Sequence, residues 1–271
     1  MKANGNNYWM AQEKYIMAFQ DVRGRFMSEG EYEDVRAHIP VKKSVNDVDE
    51  SSDTFDTIDW LVKNVKRNNG NVGMIGISYP GFYAAHGLID AHPALKAVSP
   101  QAPIADWFIG DDFHHNGVMM LIDAFNFYRS FGKPRPTLTT SWPPGFQYPT
   151  EDGYQFLLRA GSDASIKREY YGDTAKFWND VFAHPDYDAF WQARSVPQHM
   201  KNVKPAVLLV GGFFDAEDLY GPLAIYHAIE KNDQPNRTSL MMGPWFHGGW
   251  VRSDGSHLGN VSFGGKNSEY Y

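Results

Sequence analysis

One hexapeptide limits the fold more than any other part of this chain. Gly76-Ile77-Ser78-Tyr79-Pro80-Gly81 sets a serine between a short apolar run (Val72, Met74, Ile75 and Ile77) and a segment, 82–89, that reads as a helix opened by Pro80. A buried strand that turns sharply into a helix leaves the serine hydroxyl at the edge of a sheet. The same turn aims backbone N–H groups at any negative charge that develops beside it. The second glycine falls at serine plus three, so the pattern is narrower than the ordinary GxSxG turn.

The flanking sequence fits a parallel sheet with crossover helices. Residues 15–20 (YIMAFQ) read as the first strand. An amphipathic helix follows over 52–65, with Phe55, Ile58, Leu61, Val62 and Val65 on one face and Asp53 and Asp56 near its start. After the Ser78 turn come a short strand at 95–99 and then a long stretch, to about residue 203, rich in Trp, Phe, Tyr and Pro. Strand and helix periods are lost there except for helical patches at 119–128 and 175–182. The sheet pattern resumes with a strand at 206–213, a helix at 219–230 and a strand at 238–242. We therefore expect an α/β architecture in which 1–105 and 204–271 form the core and 106–203 is a largely helical cap insertion.

Composition narrows the partners. The 271 residues are 42% apolar and 15% aromatic, which suits a chain that buries a large core. A net charge of −7 offers no basic field for nucleic acid or an anionic membrane. No apolar run approaches the roughly 20 residues of a membrane span. There is no cysteine, which removes disulfides and thiolate metal sites and leaves the compartment open.

A serine is a poor nucleophile at neutral pH without a base and a group to orient that base. Two strand ends supply them. Asp215 follows the apolar strand in GGFFDAED, and His247 follows the last strand in GPWFHGG. The order Ser78, Asp215, His247 is that of α/β-hydrolases, where each member sits on a loop at the carboxyl end of a strand. Singly, each residue also reads as an ordinary turn residue. The backbone N–H of Tyr79, next to the serine, is the expected oxyanion donor.

Four stretches, QDVRG (20–24), GISYPG, GGFFDAED and GPWFH, resemble the serine hydrolases that include X-prolyl dipeptidyl-peptidases, cocaine-esterase-like enzymes and α-amino-acid ester hydrolases. The likeness is greatest to the α-amino-acid ester hydrolases and the glutaryl-acylase-like proteins grouped with them. That resemblance implies an α/β-hydrolase fold and a Ser-His-Asp acyl-enzyme mechanism without cofactor. The substrate it implies is a small ester or amide bearing an α-amino group. It also implies a three-carboxylate cluster that holds the substrate ammonium, falling here on Asp112, Glu217 and Asp218. Such relatives begin with earlier strands, carry a further oxyanion tyrosine there that nothing here matches, and continue into a β-sandwich; the resemblance thus implies a partial hydrolase fold with its first strands missing. Relatives are often exported and form homo-oligomers.

Clustered carboxylates match a cationic ammonium both in charge and in acceptors. They also repel one another, which raises at least one pKa and weakens amine binding as pH falls. The alternative is that Asp111, Asp112, Glu217 and Asp218 are solvated loop acids. His114 and His115 lie beside Asp112, but adjacent histidines point different ways and no matching ligand pair is visible, so no metal is expected.

Overall fold

The computed structural model of the chain describes residues 6–129, 131–133, 135, 137–232 and 237–271. Four strands, β1 (Val72–Ile77), β2 (Leu95–Gln101), β3 (Ala206–Gly212) and β4 (Thr238–Gly243), lie side by side in chain order. Every neighbouring pair is parallel. Parallel pairing requires a crossover between strands. Helix α1 (Glu50–Asn64) leads into β1, α2 (Tyr79–His86) joins β1 to β2, and the segment 102–205 joins β2 to β3. That segment contains α3 (Leu121–Tyr128), α4 (Gly153–Ala160) and α5 (Lys176–Ala183). Helix α6 (Tyr220–Asn232) joins β3 to β4. Among the described residues no helix is long and apolar enough to cross a membrane.

Helix α1 starts where it does because Asp49 closes a capping box. Its Oδ1 accepts from the Ser52 N–H at 2.9 Å, and Ser52 Oγ accepts from the Asp49 N–H at 2.9 Å. Helix α3 begins two residues later than the apolar pattern suggests, because Val118–Met119 pairs antiparallel with His114–His115.

The segment 15–20 departs from expectation. It is irregular and pairs with no strand among the described residues, and Tyr15, Ile16 and Phe19 are exposed. A strand is a paired state, and apolar composition alone gives its backbone amides no partners. β1 is consequently an edge of the described sheet.

One buried cluster runs from the sheet (Val98, Leu209) through α2 (Phe82, Ala85) into the long crossover (Phe125, Phe156, Trp178). The crossover is held by aromatic packing. Phe125 on α3 meets Phe156 on α4 edge to face at 5.0 Å, and Tyr171 stacks on Trp178 of α5 at 4.4 Å. The helices of the long crossover thus share one buried core with the sheet.

Candidate active site

The turn at Ser78 is built by close approach. A Cβ at position 76 would lie 2.0 Å from the Pro80 carbonyl oxygen, and one at 81 would lie 2.5 Å from the Gln101 carbonyl oxygen. Only glycine lets the first turn of α2 fold back over β1 and settle on β2. Ser78 pays for that geometry with φ of +67° and ψ of −129°, a region that costs a non-glycine residue about 1–3 kcal/mol. Its N–H is tied to the Gln101 carbonyl at 2.9 Å. Tyr79 is the first residue of α2, so its N–H lies outside the intrahelical ladder.

The Tyr79 side chain anchors the turn from beneath. Its ring is buried against Phe82, Trp107 and Phe131. The hydroxyl accepts from the Val35 N–H at 2.9 Å and donates to the Asp34 carboxylate. Tyr32 also donates to Asp34, at 3.1 Å. Burial pushes the Asp34 carboxyl up to about 6 against the lowering effect of the two phenols. Neither Asp34 nor Tyr32 was legible as part of the site, since both lie in the polar stretch GEYEDVR; the only signal was a tyrosine beside the serine that would need a partner once buried.

Asp215 and His247 meet because the ends of β3 and β4 are laced together. The N–H groups of Phe213 and Phe214 donate to the carbonyls of Gly243 and Trp245, at 2.9 and 3.1 Å. A Cβ at Gly212 would sit 2.1 Å from the Trp245 oxygen, so this approach also needs glycine. His247 Nδ1 lies 2.9 Å from Asp215 Oδ2 and 3.1 Å from Oδ1. The Glu217 and Asp218 N–H groups each donate to Oδ1 at 2.9 Å. Burial alone would raise the Asp215 carboxyl, but the imidazole and these amides hold it below the usual carboxylate range. Among the described residues the Ser78 hydroxyl makes no hydrogen bond to His247.

The three remaining acids converge on the same place. The Asp112 N–H donates to the Glu217 carbonyl at 2.8 Å, joining the loop after β2 to the loop after β3. Asp111 fastens the same junction from inside. Its Oδ2 accepts from Ala105 and Asp106 N–H at 2.7 and 3.0 Å, and its Oδ1 accepts from Gly221 N–H at 2.8 Å. Asp218 is fully buried, and among the described residues neither of its carboxylate oxygens has a hydrogen-bond partner. Burial, and then the neighbouring carboxylates, push Asp112 and Asp218 well above the ordinary carboxylate value. Glu217 is half-exposed, with Oε2 3.5 Å from His247 Nε2. His114 takes no part: its Nδ1 bonds the Trp107 carbonyl at 2.9 Å and its ring is packed between Phe108 and Trp191.

The parallel sheet, with loops gathered at the carboxyl ends of its strands, makes this an α/β-hydrolase-fold protein. Residues 1–249 match the model of the X-Pro dipeptidyl-peptidase (S15) family, and the chain belongs to that family. A cocaine esterase of Rhodococcus sp. (strain MB1 Bresler) is 26% identical over 247 residues, covering 87% of this chain and 39% of the esterase. The structure of an α-amino acid ester hydrolase superposes with a TM-score of 0.85 at 35% identity, covering 96% of this chain and 42% of that one. An aminopeptidase from the marine sediment archaeon Thaumarchaeota archaeon superposes with a TM-score of 0.84 at 34% identity, again covering 96% of this chain and 42% of its own. The chain thus spans about two-fifths of the length of these relatives.

Proposed function

We propose that this chain carries the acyl-transfer centre of a serine hydrolase acting on esters or amides of α-amino acyl groups. The observation that carries the reading is the buried Asp215–His247 hydrogen bond, formed at the same end of the sheet as a serine held at a strained turn. In the proposed reaction His247 Nε2 takes the Ser78 proton as Oγ attacks the substrate carbonyl, and Asp215 keeps the other imidazole proton on Nδ1. The Tyr79 N–H stabilises the oxyanion, a contribution of about 3 kcal/mol where such donors have been removed. The intermediate collapses as His247 gives that proton to the departing alcohol or amine, leaving the acyl-serine; water, or an amine in its place, then attacks the acyl carbon as His247 takes its proton, and the proton passes to Ser78 Oγ as the acyl group leaves. Residues 1–105 and 204–271 act as core and 106–203 as cap in this reading.

Substrate choice follows from the acids. Asp112, Glu217 and Asp218 offer a cationic ammonium carboxylate acceptors, and the ammonium supplies the donor that Asp218 lacks among the described residues. An X-Pro dipeptidyl-peptidase or a plain esterase would share the same centre, and the family match keeps both as readings of the substrate.

Two measurements test the proposal. A fluorophosphonate probe labels the wild-type chain covalently and Ser78→Ala not at all; a wild-type chain that resists labelling would mark a non-catalytic fragment. The double substitution Glu217→Gln with Asp218→Asn lowers turnover of α-amino acid esters at least about tenfold more than that of simple esters, the worth of one lost charge-assisted hydrogen bond. Equal losses on both substrates, or a preference for X-Pro amides in a mixed panel, would overturn the ammonium assignment.

A further inference from the structure

The acids around His247 are arranged for more than a monovalent cation. One ligand atom each from Glu217, Asp218 and His247 lies within 4.8 Å of the other two. His247 Nε2 is 3.5 Å from Glu217 Oε2, and Nδ1 is 3.8 Å from Asp218 Oδ2. Asp218 contributes an independent observation: a fully buried side chain whose two oxygens have no donor among the described residues, where buried polar groups are otherwise almost always paired. The charges acting most strongly on Asp218 are the other carboxylates, Asp112, Asp111, Asp215 and Glu217, all of its own sign. The Glu217 side chain is 52% exposed, which leaves an entry path from solvent.

We propose that Glu217, Asp218 and His247 form a binding site for a divalent ion of the zinc class, which competes with the substrate ammonium and withholds the imidazole from proton transfer. The binding stands on these three side chains alone; its inhibitory consequence rests on the acyl-transfer reading above. Tetrahedral zinc with ligands at about 2.0–2.2 Å separates its donor atoms by about 3.4 Å. The His247–Glu217 gap of 3.5 Å already meets that spacing. The Asp218 carboxylate lies within 4.8 Å of the other two ligand atoms and must turn from the Nδ1 edge of the ring, where it sits 3.8 Å away, to join them. Three protein ligands leave one position for water, as in open zinc sites. An imidazole nitrogen with two carboxylates suits zinc or cobalt and does not suit magnesium or calcium, which take oxygen shells.

The test is calorimetric titration of the metal-free chain with zinc chloride, alongside magnesium and calcium chlorides, and the visible spectrum after cobalt(II) addition. One saturable zinc site is expected, weakened at least about tenfold by each of Glu217→Gln, Asp218→Asn and His247→Gln, each of which removes a ligand. Cobalt(II) should give the intense bands of a four-coordinate site. Ser78→Ala should bind zinc like wild type while losing covalent labelling, so the metal site and the acyl-transfer reading fail separately. The proposal is overturned by the absence of saturable zinc binding, by zinc affinity unchanged in His247→Gln, or by magnesium binding as tightly as zinc. Should His247→Gln not fold, the wild-type cobalt spectrum still decides, because the weak bands of a six-coordinate oxygen shell contradict the assignment.

Discussion

Replacing Asp215 by asparagine changes one atom and should stop the chemistry. Asp215 Oδ1 accepts two backbone N–H groups, from Glu217 and Asp218, both at 2.9 Å. Leaving either buried donor unpaired costs about 1–3 kcal/mol, so the asparagine keeps its single oxygen on that side. Its NH2 then takes the place of Oδ2, which lies 2.9 Å from His247 Nδ1. Two N–H groups cannot face each other, so the ring must carry its proton on Nε2 instead. That is the nitrogen proposed to accept the Ser78 proton. The same tautomer error costs about 10⁴ in rate where it has been made in a serine protease, equivalent to about 5 kcal/mol of barrier. The assay is the second-order rate of fluorophosphonate labelling, with thermal unfolding recorded in parallel to show that the variant is folded. A folded Asp215→Asn chain labelled within tenfold of the wild-type rate would refute the role of Asp215, and with it the tautomer argument.

Two further outcomes follow from the surrounding structure. Gly81→Ala puts a Cβ 2.5 Å from the Gln101 carbonyl, so α2 must lift from β2; urea unfolding should show a loss of at least about 2 kcal/mol, and an unchanged midpoint would contradict the packing. His86 is buried with Nδ1 3.1 Å from the Phe82 carbonyl, and burial lowers its pKa from 6.5 to about 4. Its contribution is therefore intact above pH 6.5 and is lost as pH falls from 6.5 towards 4, because only the unfolded chain takes the proton; the loss is roughly 2 kcal/mol by pH 5. His86→Asn should lack that component, and parallel stability profiles for the two proteins between pH 7.5 and 5 would show the assignment to be wrong.

What could be read from the amino acids alone was whatever a short stretch decides for itself. The glycines at 76 and 81 announce a close approach, and the structure supplies the two carbonyls that demand it. The strands carrying Asp215 and His247 were legible because each contains a short apolar run ended by glycine. The segment 15–20 was misread because pairing depends on a neighbour, and YIMAFQ says nothing about one. Asp34 was out of reach for the same reason: its partner, Tyr79, lies 45 residues away, and only the fold brings a polar loop under the serine turn. Asp111 and Asp112 were alike as adjacent acids. One proves to be a fastening that accepts three backbone amides, and the other joins the acid cluster.

Asp215 and Asp218 show how the same side chain is given two uses three residues apart. Both are buried, so desolvation pushes both carboxyls in the same direction. They part over hydrogen bonds. Asp215 accepts two amides and an imidazole, which makes its charge internal to the protein and fixes its partner. Asp218 accepts no hydrogen bond among the described residues, although its own N–H is one of the donors that complete Asp215. The turn that satisfies one carboxylate thereby spends its backbone amides and leaves the other unpaired beside it. Both carboxylates face the same nitrogen of His247, Nδ1, Asp215 at 2.9 Å and Asp218 at 3.8 Å, so a cation bound by the second carboxylate lies beside the ring proposed to move the proton. In the proposed function, recognition of charge and transfer of the proton are coupled by that short loop. A substrate without a positive group would leave the coupling unused, and a metal ion would use it to the opposite end.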